Sequence, residues 1–170
     1  MASRKSVQNT HMREKIRLLH GALLDIVAAI NRPQRDEIMI QKAGISLERG
    51  LFPLLVCIER FGPIGVVELA DRVGRDHTTV SRQVAKLESL GLAKRVKNAA
   101  DGRLRQAVIT AKGKAMTDRI DLARDQLVGA IFENWPSHEI DALAQLTRKF
   151  ADSFSAQDGT PVKAPSSPAR

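Results

Sequence analysis

The stretch VVELADRVGRDHTTVSRQVAKLESLGLAKRVKNAADGRLRQAVITAKG, residues 66–113, restricts the fold more than any other part of the chain. Val66, Leu69, Ala70 and Val73 share one helical face, and Gly74 stops that helix. Asp76 follows, a side chain that accepts a hydrogen bond from the free N–H of Thr78 or Thr79 and so starts a second helix. On a wheel of about 100° per residue, Val80, Val84 and Leu87 lie within about 60° of one another and face a core. Thr78, Arg82 and Ala85 project from the opposite side, with Thr79, Ser81 and Lys86 flanking. A helix kept only for solubility carries Glu and Lys at i, i+4 on that face. This one carries hydroxyls and a guanidinium, which suit a DNA major groove about 12 Å wide, where Ser, Thr and Arg reach base edges and phosphates.

The segment after the second helix has two β-prone runs, LAKRVK and RQAVIT, joined by NAADGR, a turn-forming loop containing Asp-Gly. The result is a β-hairpin bearing Lys94, Arg95, Lys97, Arg103 and Arg105. A helix–turn–helix followed at once by a basic hairpin is a winged helix. Its second helix enters the major groove, and its wing, here with Arg95, Lys97, Asp101, Arg103 and Arg105, lies over the neighbouring backbone or minor groove. Charge agrees: 27 Lys and Arg against 19 Asp and Glu give a formal net charge of +8, which favours a polyanionic partner.

These two motifs resemble the multiple antibiotic resistance regulator (MarR) family of bacterial transcription factors. VVELADRVGRDHTTVSRQVAKLESLGLAKRV is similar to the family's paired helices and first wing strand. DGRLRQAVITAKG is similar to its wing pattern of Asp-x-Arg, a strand, then Thr-x-x-Gly. The resemblance is dense from Leu47 to Gly113 and weaker through the flanking helices. It implies a winged-helix homodimer on a pseudo-palindromic operator, usually a repressor, often released by a small aromatic effector or by thiol oxidation. Matched by motif, base reading falls on Thr78, Thr79, Ser81 and Arg82, and the wing role on Asp101 and Arg103. Cys57, the single cysteine, is not near the N-terminus, where the family's peroxide sensors keep their reactive thiol. Its place between Val56 and Ile58 predicts packing.

The remaining segments predict helices. Residues 10–31 carry Ile16, Leu19, Leu23, Ile26, Val27 and Ile30 at helical spacing until Pro33 closes the run, and a short amphipathic helix spans Pro33 to Ala43 before Gly44. Residues 47–61 predict a buried helix that either starts near Phe52 or kinks at Pro53; FGPIG, 61–65, is expected to be a turn. Residues 111–134 repeat Met116, Ile120, Ala123, Leu127 and Ile131. Trp135-Pro136 breaks that run, and Ser137 is the expected cap of a last helix carrying Ile140, Leu143, Thr147, Phe150 and Phe154.

A winged helix of about 65 residues has too little surface to bury all these stripes, so a two-fold dimer built from both chain ends is expected, with Leu19, Leu23, Met116, Ile120, Leu127, Phe150 and Phe154 at its interface. The expected division is N-terminal helices 10–46, winged helix 47–113, C-terminal helices 114–155 and a Pro- and Ser-rich disordered tail, 156–170.

The fold class is therefore mainly α (α+β), a winged helix–turn–helix with terminal helices for dimerisation. No apolar run approaches the roughly 20 residues needed to span a bilayer. With no apolar leader at the N-terminus, the protein is expected in the cytoplasm. The scattered His11, His20, His77 and His138 offer no metal spacing. No phosphate loop or Ser, His and acid constellation appears, so neither catalysis nor a cofactor is implied. A winged-helix module that binds another polypeptide is the alternative to a DNA-binding repressor; it has no need of a basic wing.

Overall fold

Glycines and prolines punctuate the chain much as the pattern predicts. The structure, a computed structural model, describes residues 2–98, 101 and 103–157. It divides after Ile38 into two units, taken separately.

The first unit holds α1 (Ala2–Ile30) and the start of α2 (Pro33–Lys42). α1 begins before the expected residue 10, because nothing between Ala2 and Ile30 breaks a helix and its Ala, Leu, Arg and Lys favour one. Pro33 opens α2, a position where its missing N–H would have had no helical acceptor.

In the second unit, Gly44 ends α2 with φ 58°, and the Ile45 N–H reaches back to the Ile40 carbonyl at 3.2 Å. A 3-10 turn, Arg49–Leu51, leads into α3 (Phe52–Phe61). Pro53 thus lies in the first helical turn and does not kink α3. FGPIG is more than a turn: Ile64–Gly65 form β1, which pairs antiparallel with Ala107 and Gln106. Next come α4 (Val66–Val73), α5 (His77–Ser89) and the hairpin β2 (Ala93–Lys97) and β3 (Arg105–Ile109), giving a sheet ordered β1-β3-β2. Ala99, Ala100 and Gly102 of the expected hairpin loop lie outside the described residues.

One core sits beneath this winged helix. Leu54, Leu55 and Ile58 of α3, Ile64, Leu69 of α4, and Val80, Val84 and Leu87 of α5 are all fully buried. Each contributes about 1.5–3 kcal/mol of burial free energy. α6 (Ala111–Phe132) is tied to the foot of the wing. The Thr110 hydroxyl accepts from the Gly113 N–H at 3.0 Å and donates to the Gly91 carbonyl at 2.7 Å. A Cβ at Gly113 would collide with the Leu92 carbonyl oxygen and with Ile109. The Thr-x-x-Gly pattern is therefore the joint between wing and helix.

A second core cluster gathers Ala43, Ile45 and Phe52 against Ile120 and Ala123 of α6, with Met116 packed on both clusters. This corrects the expected dimer stripe. Ile120 is 0% exposed and is spent inside the protomer, whereas Met116 packs on both clusters and stays half-buried. The stripe divides because only the first half of α6 runs beside α3.

α7 (Ser137–Gln157) completes the chain. The Glu139 N–H bonds the Pro136 carbonyl at 3.0 Å, so Ser137 is the first helical residue and not the expected cap. The helix also continues through residues 156 and 157 of the expected tail; the rest of that tail, 158–170, lies outside the described residues.

Candidate nucleic-acid interface

α4 and α5 meet at Gly74, whose φ of 63° is left-handed and suits a residue without Cβ. Two residues later the Asp76 carboxylate accepts the Thr79 N–H at 2.8 Å and caps α5. The hydrogen bonds from Thr79 hold the Asp76 carboxyl below the usual carboxylate range. With the buried stripe of α5 fixed on the core, Thr78, Arg82, Ala85 and Lys86 are exposed, and Thr79 and Ser81 are half-buried beside them.

Two guanidinium groups hold the flanks of that exposed face. On one flank, Arg75 donates to the Gly50 carbonyl at 2.7 Å and to Gln83 Oε1 at 3.3 Å, joining the 3-10 turn to α5. On the other, Arg95 of the wing lies 3.2 Å from Glu88 Oε2 and donates to the Ser81 carbonyl at 3.2 Å. Its backbone N–H donates to Glu88 Oε1 at 3.0 Å. Arg95, one of the wing residues expected on DNA, is half-buried and paired within the protein. Sequence reasoning missed Glu88, Gln83 and Arg75. Only the seven-residue spacing of Ser81 and Glu88, which puts both on one flank, hinted at the first of these.

The other wing cations differ. Lys94, Lys97, Arg103 and Arg105 are exposed, and among the described residues none has a carboxylate partner; the same is true of Arg82 and Lys86. Asp101 shapes the wing tip. Its carboxylate accepts the Arg103 N–H at 3.0 Å, and its own N–H donates to Asn98 Oδ1 at 3.1 Å. An open notch between α5 and the sheet is lined by Val66, Ser81, Glu88, Arg95 and Arg105.

Of the remaining expected interface residues, Leu19 of α1 is 45% exposed and Phe154 of α7 is 55% exposed. Leu23, Leu127 and Phe150 are half-buried. Phe150 and Phe154 stack edge to face at 4.9 Å. Trp135 does the same with Phe132 at 5.3 Å, at the break between α6 and α7. Cys57 packs against the winged-helix core. Burial raises its thiol pKa, an effect the Arg72 charge partly offsets, so the thiolate is disfavoured. Among the described residues no group of three or more His, Cys, Asp or Glu side chains is placed to hold a metal, and no helix is long and apolar enough to cross a membrane.

Helix, turn, helix and basic wing together define a winged-helix protein of the DNA-binding class. The sequence model of the MarR family matches residues 47–104. The HTH-type transcriptional regulator YxaD of Bacillus subtilis is 31% identical over 114 residues, covering 67% of this chain and 80% of that protein. The chain belongs to the MarR family of transcriptional regulators. Among solved structures, a MarR family protein from Bacillus stearothermophilus superimposes with a TM-score of 0.66 at 19% identity, over 84% of this chain and 97% of that one. CouR from Rhodococcus jostii RHA1, solved bound to p-coumaroyl-CoA, gives a TM-score of 0.58 at 22% identity over 84% and 94%. At these identities both comparisons speak to the fold.

Proposed function

We propose that the protein is a cytoplasmic, homodimeric transcriptional repressor that reads a pseudo-palindromic double-stranded DNA operator and leaves it when a small aromatic effector binds. The observation that carries this reading is the exposed face of α5, pinned on both flanks beside a wing whose four exposed cations have no carboxylate partner among the described residues. Thr78, Thr79, Ser81 and Arg82 are the base readers, because hydroxyls and a guanidinium at the first turns of a recognition helix reach base edges. Lys86 sits one turn beyond Arg82 and takes a phosphate. Lys97, Arg103 and Arg105 take the backbone or minor groove next to the site, with Asp101 holding the wing tip in shape.

Residues 47–113 thus form the DNA-binding region, and the helices of 10–46 and 114–155 the dimerisation region. α1 exposes Ile16, Leu19, Leu24 and Val27, and α7 exposes Leu143, Leu146 and Phe154, side chains that a second copy would cover. A two-fold dimer then sets half-sites about 10 base pairs apart. CouR's ligand carries an aromatic acyl group, which supports an aromatic effector here.

Selection from a random duplex pool by the purified protein tests the reading. The expected result is enrichment of one palindromic sequence, with affinity falling steeply as salt rises. No enrichment above the starting pool would sink it and favour a polypeptide partner for α5.

A further inference from the structure

We propose that Arg95, with Glu88 as its counterpart, is the positioning residue that locks the wing to the recognition helix so that both meet one half-site in register. The inference rests on the DNA reading above and adds to it a residue that touches no DNA.

Four observations converge on this pair. First, β2 is the outer strand of the sheet, so its outward N–H groups have no strand partner; the Arg95 N–H is taken by Glu88 Oε1 at 3.0 Å. Second, Glu88 Oε2 forms an ion pair with the same residue's guanidinium at 3.2 Å, so one carboxylate engages both the backbone and the side chain of Arg95. Third, the other arm of the guanidinium donates to the Ser81 carbonyl, and Ser81 stands two helical turns before Glu88 on the same flank. A rigid planar fork spans two such acceptors; a lysine ammonium on a flexible stem does not hold both. Fourth, an open notch lined by Val66, Ser81, Glu88, Arg95 and Arg105 lies at this level, and the Arg95 guanidinium reaches both α5 residues that line it. Both partners are 29% exposed, which limits competition from water.

The sign of the effect at Glu88 separates this role from simple charge. Removing a carboxylate beside DNA strengthens binding if only the electrostatic field matters. Loss of a positioning partner weakens it.

The experiment uses the full chain and a duplex that the wild type enriches from a random pool. Operator affinity is titrated across a salt series for the wild type, Arg95→Gln, Glu88→Gln, the double variant and Arg95→Lys, with thermal melting as a check on folding. The expected outcome is about tenfold weaker operator binding for Arg95→Gln and for Glu88→Gln, with the double variant no weaker than either. The slope of log affinity against log salt stays at the wild-type value, binding to random duplex is unchanged, and Arg95→Lys falls between wild type and Arg95→Gln. A slope smaller by about 0.9 in Arg95→Gln identifies a phosphate contact and overturns the proposal. So does a Glu88→Gln variant that binds the operator as well as or better than wild type. If Arg95→Gln does not fold, Glu88→Gln and Arg95→Lys decide the matter by the same criteria. A wild type that enriches no duplex defeats the DNA reading itself, and this inference with it; a wild type that enriches one while the variants behave as phosphate contacts defeats only the inference.

Discussion

The winged helix and the terminal helices treat apolar side chains in opposite ways. Between Leu51 and Ala107 they close on themselves: Leu54, Leu55, Ile58, Ile64, Leu69, Val80, Val84 and Leu87 are fully buried within a single protomer. In α1 the pattern is as apolar, yet Ile16, Leu18, Leu19, Leu24, Ile26, Val27 and Ile30 stay exposed, and α7 leaves Leu143, Leu146 and Phe154 uncovered. A helix held by its own amphipathic packing gains most of its stability from the face it buries. The difference teaches that the winged helix completes its core in one chain, whereas the ends leave apolar faces uncovered, the surface proposed above for a second copy.

The largest expected effect comes from breaking that partner surface. Leu127→Glu or Leu23→Glu places a carboxylate that must be desolvated at the proposed interface. Operator affinity should fall by about 10²–10⁴-fold as the linked half-sites are lost, and sedimentation should report monomers. A dimer of undiminished affinity in both variants would remove these two residues from the interface.

Ile120→Ala sharpens the boundary between the regions, because Ile120 lies on the same helix as Leu127 but inside the protomer. Stability should drop by about 2–5 kcal/mol in denaturant titration, while sedimentation at native conditions stays that of the wild type. Dissociation without loss of protomer stability would return Ile120 to the interface.

Within the reading head, Arg82→Ala should weaken operator binding by about 1–3 kcal/mol and change binding to random DNA much less. Equal losses on both would make Arg82 a phosphate contact. Asp76→Ala removes the cap of α5 and should lower the melting midpoint, by an amount that depends on pH. The folded carboxyl titrates below its unfolded value of about 3.9 because of its bonds from Thr79. Its contribution is therefore fully present above pH ~4 and is lost as pH falls through the folded pKa, so the gap between wild type and variant should shrink on acidification. A gap that widens toward low pH would contradict that assignment.

How far these features could be read from the sequence follows from how local their causes are. Gly74, Asp76 and the spacing of Val80, Val84 and Leu87 are decided within a few residues, and the structure places all of them as the pattern predicts. β1 was not legible, since two residues carry no period and Ile64 finds its partner, Ala107, far along the chain. The wing cations look alike in sequence; Arg95 departs from the rest only because Ser81 and Glu88 come to stand beside it. Met116 and Ile120 share a stripe with Leu127, and periodicity says nothing about where along a helix its neighbour stops.

The joint at Thr110 and Gly113 makes α6 a fixed arm of the wing. Its 22 residues form a rod about 33 Å long whose near end is bolted to Leu92 at the foot of the wing and whose far end carries Leu127 and Ile131. Spin labels at Lys112 and Asp125 should therefore keep one narrow separation with and without DNA; two separations would mean that the rod bends. Fixed to the wing at one end and buried along its first half at Ile120 and Ala123, the rod sets how far from the wing Leu127 and Ile131 stand.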